Sequence, residues 1–143
     1  MVVTFDHERL EVYRVAVEYA DAADSIAGKL KRGNAHIRDQ LRRASDSIVN
    51  NIAEGAGEFQ PAEKARFYRI ALRSGTESAA TLHTCQRRQL GDLDAMEDAR
   101  KLLKRVVEML TRLIHSTAQR RAPDRDRDRV DRDRDRVLIE DTP

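Results

Sequence analysis

Ser47-Ile48-Val49-Asn50-Asn51-Ile52-Ala53-Glu54-Gly55 sets two Asn and a Glu inside a segment whose apolar residues recur at helical spacing. Ile48 and Ile52 stand four apart, and stepping backwards reaches Ala44, Leu41 and Ile37, one apolar row on a helix that starts near Ala35. Gly55 and Gly57 are expected to stop it. Ser47, Asn51 and Glu54 fall at i, i+4 and i+7, so they share a flank beside the isoleucines. Polar groups taken out of water are costly without partners, which predicts dedicated contacts for this flank.

The same periodicity extends in both directions. Upstream, Thr4 or Asp6 can cap a first helix with Leu10, Tyr13, Val17, Ala20, Ala23, Ala27 and Leu30 as its inward row, ended by Gly33-Asn34. Downstream, a short connector over residues 57–60 leads to Pro61, which suits the first turn of a third helix. Its inward row is Ala65, Tyr68, Ala71 or Leu72, Gly75, Ala79, Leu82 and Cys85, closed by Gly91. Asp92 or Asp94 opens a fourth helix, where Met96, Ala99, Leu103, Val106, Leu110 and Leu113 form the buried row and Leu102, Met109 and Ile114 widen it. Aromatic residues make up only 4% of the chain and Trp is absent, a poor composition for strands. Long helices with short connections favour antiparallel neighbours, so the expected fold is all-α, an up-down-up-down four-helix bundle over residues 1–120.

After Pro123 the composition changes. Residues 124–130 and 131–137 are two copies of Asp-Arg-Asp-Arg-Asp-Arg-Val. One valine per heptad cannot build a coiled-coil seam, which needs two apolar positions. Residues 121–143 are read as a solvated, disordered tail on compositional grounds. That segment holds seven Arg against eight Asp and Glu, so of the formal charge of +2 the bundle carries about +3. Nucleic-acid binding usually shows as a clear basic stripe, and a charge balance this even does not demand one.

Several chemistries find no support in the residue pattern. Di-metal bundles need Glu-x-x-His pairs, and none of His7, His36, His83 or His115 has an acidic residue three positions earlier. Cys85, the single cysteine, has no partner for a disulfide and no local activator, and reads as an inert core thiol. There is no phosphate-binding glycine loop, nucleophile elbow or zinc-finger spacing. The expectation is a non-enzyme without metal or cofactor. Asp6, Glu8 and Arg9 stand where a signal peptide would be apolar, and no run approaches the ~20 residues of a membrane span, so a cytoplasmic location with no membrane partner is expected.

Two sets of polar residues remain. Ser74 and Glu77, with Ser78, resemble the Ser47, Asn51, Glu54 set closely enough that the two helices are expected to share a structural hydrogen-bonded network. Arg38 and Arg42 align on the second helix and Arg66, Arg69 and Arg73 on the third, a candidate phosphate-contact set. Lys101, Lys104 and Arg105 cluster on the fourth helix, where Asp98 with Lys101 or Arg105 with Glu108 would form exposed ion pairs.

The run at 47–55 resembles the 23S rRNA intervening sequence proteins, a family that includes the accessory variability determinant of diversity-generating retroelements. The likeness takes in Phe5, Leu10 and Tyr13, Gln40-Leu41-Arg42-Arg43-Ala44, Phe67-Tyr68-Arg69-Ile70-Ala71, Ser74, Glu77 and Met109-Leu110-Thr111-Arg112-Leu113-Ile114. Val49 stands where the family often has Pro, Glu58 where a basic residue follows the glycines, and Arg73 where Gly precedes the Ser. The resemblance implies a four-helix bundle assembled as a homopentamer, with a basic surface that in some members binds nucleic acid and a reverse transcriptase. The functional expectation is a nucleic-acid (RNA or DNA) or ribonucleoprotein accessory factor. The alternative is a protein-interaction or scaffold module that binds no nucleic acid.

Overall fold

A computed structural model describes residues 2–119. The tail reading over 121–143 lies outside the described residues. Four helices follow a short 3-10 turn at Asp6–Arg9: α1 (Glu11–Gly28), α2 (Ala35–Gly57), α3 (Pro61–Arg87) and α4 (Leu93–Gln119). Each packs on its sequence neighbours, and α1 packs on α4, which closes the ring and puts α1 and α3 at opposite corners. The expected all-α four-helix bundle is what the described residues form.

The apolar rows expected on α2 and α4 are buried, from Ile37 to Ile52 and from Met96 to Leu110, while Leu113 is only half-buried. The row on α1 is turned relative to the expected one. Val12, Val15, Ala16, Tyr19, Ala23, Ile26 and Ala27 face the core, and Tyr13, Val17 and Ala20 sit half-buried at its edge. Neither Thr4 nor Asp6 caps α1. Instead the Glu8 carboxylate accepts the Phe5 N–H at 2.5 Å, closing the 3-10 turn, and α1 begins only after Leu10.

Gly57 is the last residue of α2, as expected, but two other glycines are not helix stops. Gly55 does not end α2. It is buried within the helix, where an added Cβ would lie 2.6 Å from Tyr68 Cε1 and 3.2 Å from the Lys64 carbonyl, so α2 and α3 can approach here only without a side chain. Nor does Gly91 end α3. The helix stops at Arg87 and Gln89 takes the left-handed conformation, φ 52°. The Gln89 N–H bonds the Gln86 carbonyl at 3.1 Å and the Leu90 N–H bonds the Cys85 carbonyl at 3.0 Å. These are the two bonds of a Schellman motif, with Gln in the place that Gly usually fills. Gly33, at φ 88°, does serve as the expected turn after α1. Asp92 caps α4, its Oδ1 accepting the Ala95 N–H at 3.1 Å.

Candidate functional site

The α2–α3 seam holds part of the expected polar network. Ser47 Oγ and Ser74 Oγ lie 2.7 Å apart, and Asn51 Nδ2 donates to the Ser47 carbonyl at 2.8 Å and to Ser47 Oγ at 3.1 Å. Glu54 and Glu77 are exposed and take no part in it. Ser78, about one turn further along α3 than Ser74 and buried, bonds the Tyr19 hydroxyl on α1 instead. Every buried side-chain polar atom among the described residues has a partner, so the seam offers no unsatisfied group that awaits a ligand.

The arginines separate into two groups. Arg38 Nε donates to the Ala27 carbonyl at 2.9 Å and its Nη2 to the Leu30 carbonyl at 3.5 Å, which satisfies acceptors at the end of α1. Arg42 pairs with Asp24 on α1 at 2.8 Å, in an exposed geometry worth at most about 1 kcal/mol. Both α2 arginines thus brace α1. On α3, Arg66, Arg69 and Arg73 are exposed along one side of the helix. With Ile70, Leu72 and Thr76 they line a concavity of about 530 Å³. Arg66 bonds Glu63 at 3.1 Å and stands 4.4 Å over the Phe67 ring, which holds its guanidinium in place. Among the described residues neither Arg69 nor Arg73 has an acidic partner within ion-pair distance.

Cations on α4 are spent differently from the expected pairs. Arg105 reaches Glu11 on α1 at 3.6 Å, and Lys104 rather than Arg105 meets Glu108, at 4.0 Å. A polar bridge that the sequence reading did not find joins α3 to α4: Arg100 donates to Gln86 Oε1 and Gln86 Nε2 donates to Glu97, both at 2.9 Å. Lys64 was also missed. Its ammonium donates to the Gly55 and Ala56 carbonyls at 3.2 and 3.0 Å, a C-terminal cap for α2 supplied by α3. No local spacing signals such a cap, because donor and acceptors belong to different helices.

Cys85 is buried, and burial pushes its thiol pKa up, away from the reactive thiolate. No group of three or more His, Cys, Asp or Glu side chains gathers among the described residues in a way that could hold a metal ion. None of the described helices is long and apolar enough to cross a membrane.

A closed ring of four helices, with a satisfied polar seam and arginines exposed on the outer side of α3, defines a helical-bundle protein. Residues 8–112 match the family model described as 23S rRNA-intervening sequence protein, and the chain belongs to that family. A comparison with curated proteins gives no match.

Proposed function

We propose that this bundle is a non-enzymatic accessory factor for nucleic acid, with the α3 strip Arg66, Arg69 and Arg73 as its phosphate-contact surface. The observation that carries the reading is the division of the arginines: Arg38 and Arg42 brace α1, while the α3 set is exposed around one concavity. Guanidinium groups three and four residues apart on a helix present forked donors along a line, which suits a chain of phosphates. The family's description adds an RNA context. In this reading the bundle acts as a homo-oligomer, a pentamer by family resemblance. Repetition around a ring would turn the weak patch of one subunit into a strong field. A reverse transcriptase is the protein partner that the retroelement branch of the family would supply.

Gel-shift titration with labelled RNA and DNA at increasing salt tests the nucleic-acid reading. Binding should weaken steeply with salt, and changing Arg69 and Arg73 to Ala should lower the log–log salt slope by about 1.5. Absence of binding at low salt would overturn it. Light scattering that finds a concentration-independent monomer would remove the oligomer.

A protein-interaction reading draws on one observation of its own. Phe59, in the α2–α3 connector, is 94% exposed, and Phe5 is 64% exposed near the start of α1. Exposed large apolar residues mark contact surfaces when they cluster. Co-purification of a protein partner free of nucleic acid would favour this reading.

A further inference from the structure

The α3 arginine strip has a candidate occupant within the same chain. We infer that the Asp-Arg units of residues 124–137 dock an acidic face on Arg66, Arg69 and Arg73, so that the chain carries its own competitor for that surface.

Three observations support this. The first is chemical pattern. Read at a spacing of two, as in an extended chain, Asp124, Asp126, Asp128 and Val130 fall on one face and Arg125, Arg127 and Arg129 on the other. The second unit has the same internal order with Asp131, Asp133, Asp135 and Val137, but a repeat of seven puts this row on the opposite face of a continuous extended chain, so one unit at a time offers its carboxylates to the arginines. Each unit therefore presents three carboxylates followed by one apolar side chain. The α3 concavity presents the complement, three arginines around Ile70 and Leu72. The segment's near-zero net charge conceals this segregation, which is why its overall composition does not suggest it.

The second is dimension. Arg66 to Arg73 rises about 10 Å along α3. Asp124 to Asp128 spans about 13 Å when extended. Side chains as long as Arg can take up the difference.

The third is reach. α4 runs antiparallel to α3, as the contacts of Gln86 with Glu97 and Arg100 and of Gly75 with Val107 show together, so its last described residue, Gln119, lies at the end of the bundle where α3 begins. Another 24 residues follow Gln119. Four or five of them, at about 3.3 Å each, are enough to bring Asp124 level with the arginines. Pro123 disfavours carrying a helix straight into the first unit.

Full-length protein tests the docking directly, without nucleic acid, so its outcome is independent of the proposed function. A nitroxide is attached at Arg129→Cys, on the face opposite the carboxylates. The buried Cys85 thiol stays unlabelled. Amide signals of residues 66–73 should lose intensity selectively at low ionic strength and recover at high salt. The same loss should vanish when the six Asp of the two units are changed to Asn. Uniform broadening, or none at low salt, would overturn the inference. In a mixture of isotope-labelled chains without nitroxide and nitroxide-bearing chains without isotope, the loss should disappear. Its persistence would assign the docked arm to a neighbouring copy and overturn the intrachain claim. Failure of RNA binding leaves the resonance experiment unaffected.

Discussion

Tyr19 on α1 hydrogen-bonds Ser78 on α3 across the diagonal of the bundle, joining two helices that each pack mainly on α2 and α4. Both side chains are fully buried. Removing one hydroxyl strands the other in a dry core, whereas removing both leaves no orphan. Tyr19→Phe and Ser78→Ala are each expected to cost about 1–2 kcal/mol, and the double variant clearly less than their sum. Urea unfolding of the four proteins measures the coupling. Simple additivity would show that the hydroxyls do not depend on each other.

Burial pushes the Tyr19 pKa up to about 12, against the smaller opposing pull of its Ser78 hydrogen bond. The phenol of the unfolded chain ionises near 10. A folded-state value raised above the unfolded one gives stability that is fully present below pH 10 and lost as pH rises from 10 towards 12. The loss attributable to Tyr19 is about 2–3 kcal/mol. Tyr68 and Cys85 are raised by burial too and act in the same direction, Cys85 at lower pH than the tyrosines. Stability measured from pH 8 to 11.5 should therefore fall, and Tyr19→Phe should flatten the upper part of the curve. An unchanged slope in that variant would exclude Tyr19 as its source.

Gly55 and Gly57 lie two residues apart in α2 and should respond in opposite ways to Ala. A methyl group at 55 meets the Tyr68 ring and the Lys64 carbonyl, and overpacking of this kind costs about 1–3 kcal/mol. At 57 nothing lies within 4 Å and φ is not positive, so Ala should gain about 0.4–1 kcal/mol by restricting the unfolded chain. Thermal unfolding of the two single variants checks the sign. A gain at 55 would mean that α3 moves aside easily.

Gln89 should be improved by replacement. Its left-handed backbone costs a residue with a Cβ about 1 kcal/mol more than glycine, and its place in the Schellman motif is the one glycine occupies most often. Gln89→Gly is expected to raise stability by about that amount in denaturant titration. Loss of stability would show that the Gln side chain contributes more than the backbone strain removes.

What the residues reveal locally and what they do not follows from the range of the interactions. The α2 row was legible because Ile37, Leu41, Ala44, Ile48 and Ile52 are apolar on one side only. On α1 two apolar rows compete, one through Tyr13 and Val17 and one through Val15 and Tyr19, and they converge at Ala23 and Ala27. Periodicity alone cannot choose between them. The row that is buried carries Tyr19, whose hydroxyl finds its partner in Ser78, 59 positions away, a contact no local spacing reveals. Gly55 and Gly91 looked like helix stops because glycine commonly is one, yet the close approach of Tyr68 that requires Gly55 is a tertiary contact. The arginines follow the same division. Their alignment on α2 and α3 is visible in the sequence, but the α1 carbonyls that engage Arg38 are not.

That division gives the last prediction, which separates bracing from binding. Arg38→Ala removes donors from two carbonyls at the end of α1 and should cost about 1–2 kcal/mol of stability. Arg69→Ala and Arg73→Ala remove exposed side chains with no ion-pair partner among the described residues, and each should change stability by less than about 0.5 kcal/mol. In a nucleic-acid binding assay below the unfolding transition the order reverses, with the α3 variants weakened and Arg38→Ala unaffected. The two measurements together distinguish a contact surface from a structural one, since damage to the fold would lower both in parallel. Equal binding by all three variants would place the nucleic-acid surface elsewhere on the bundle.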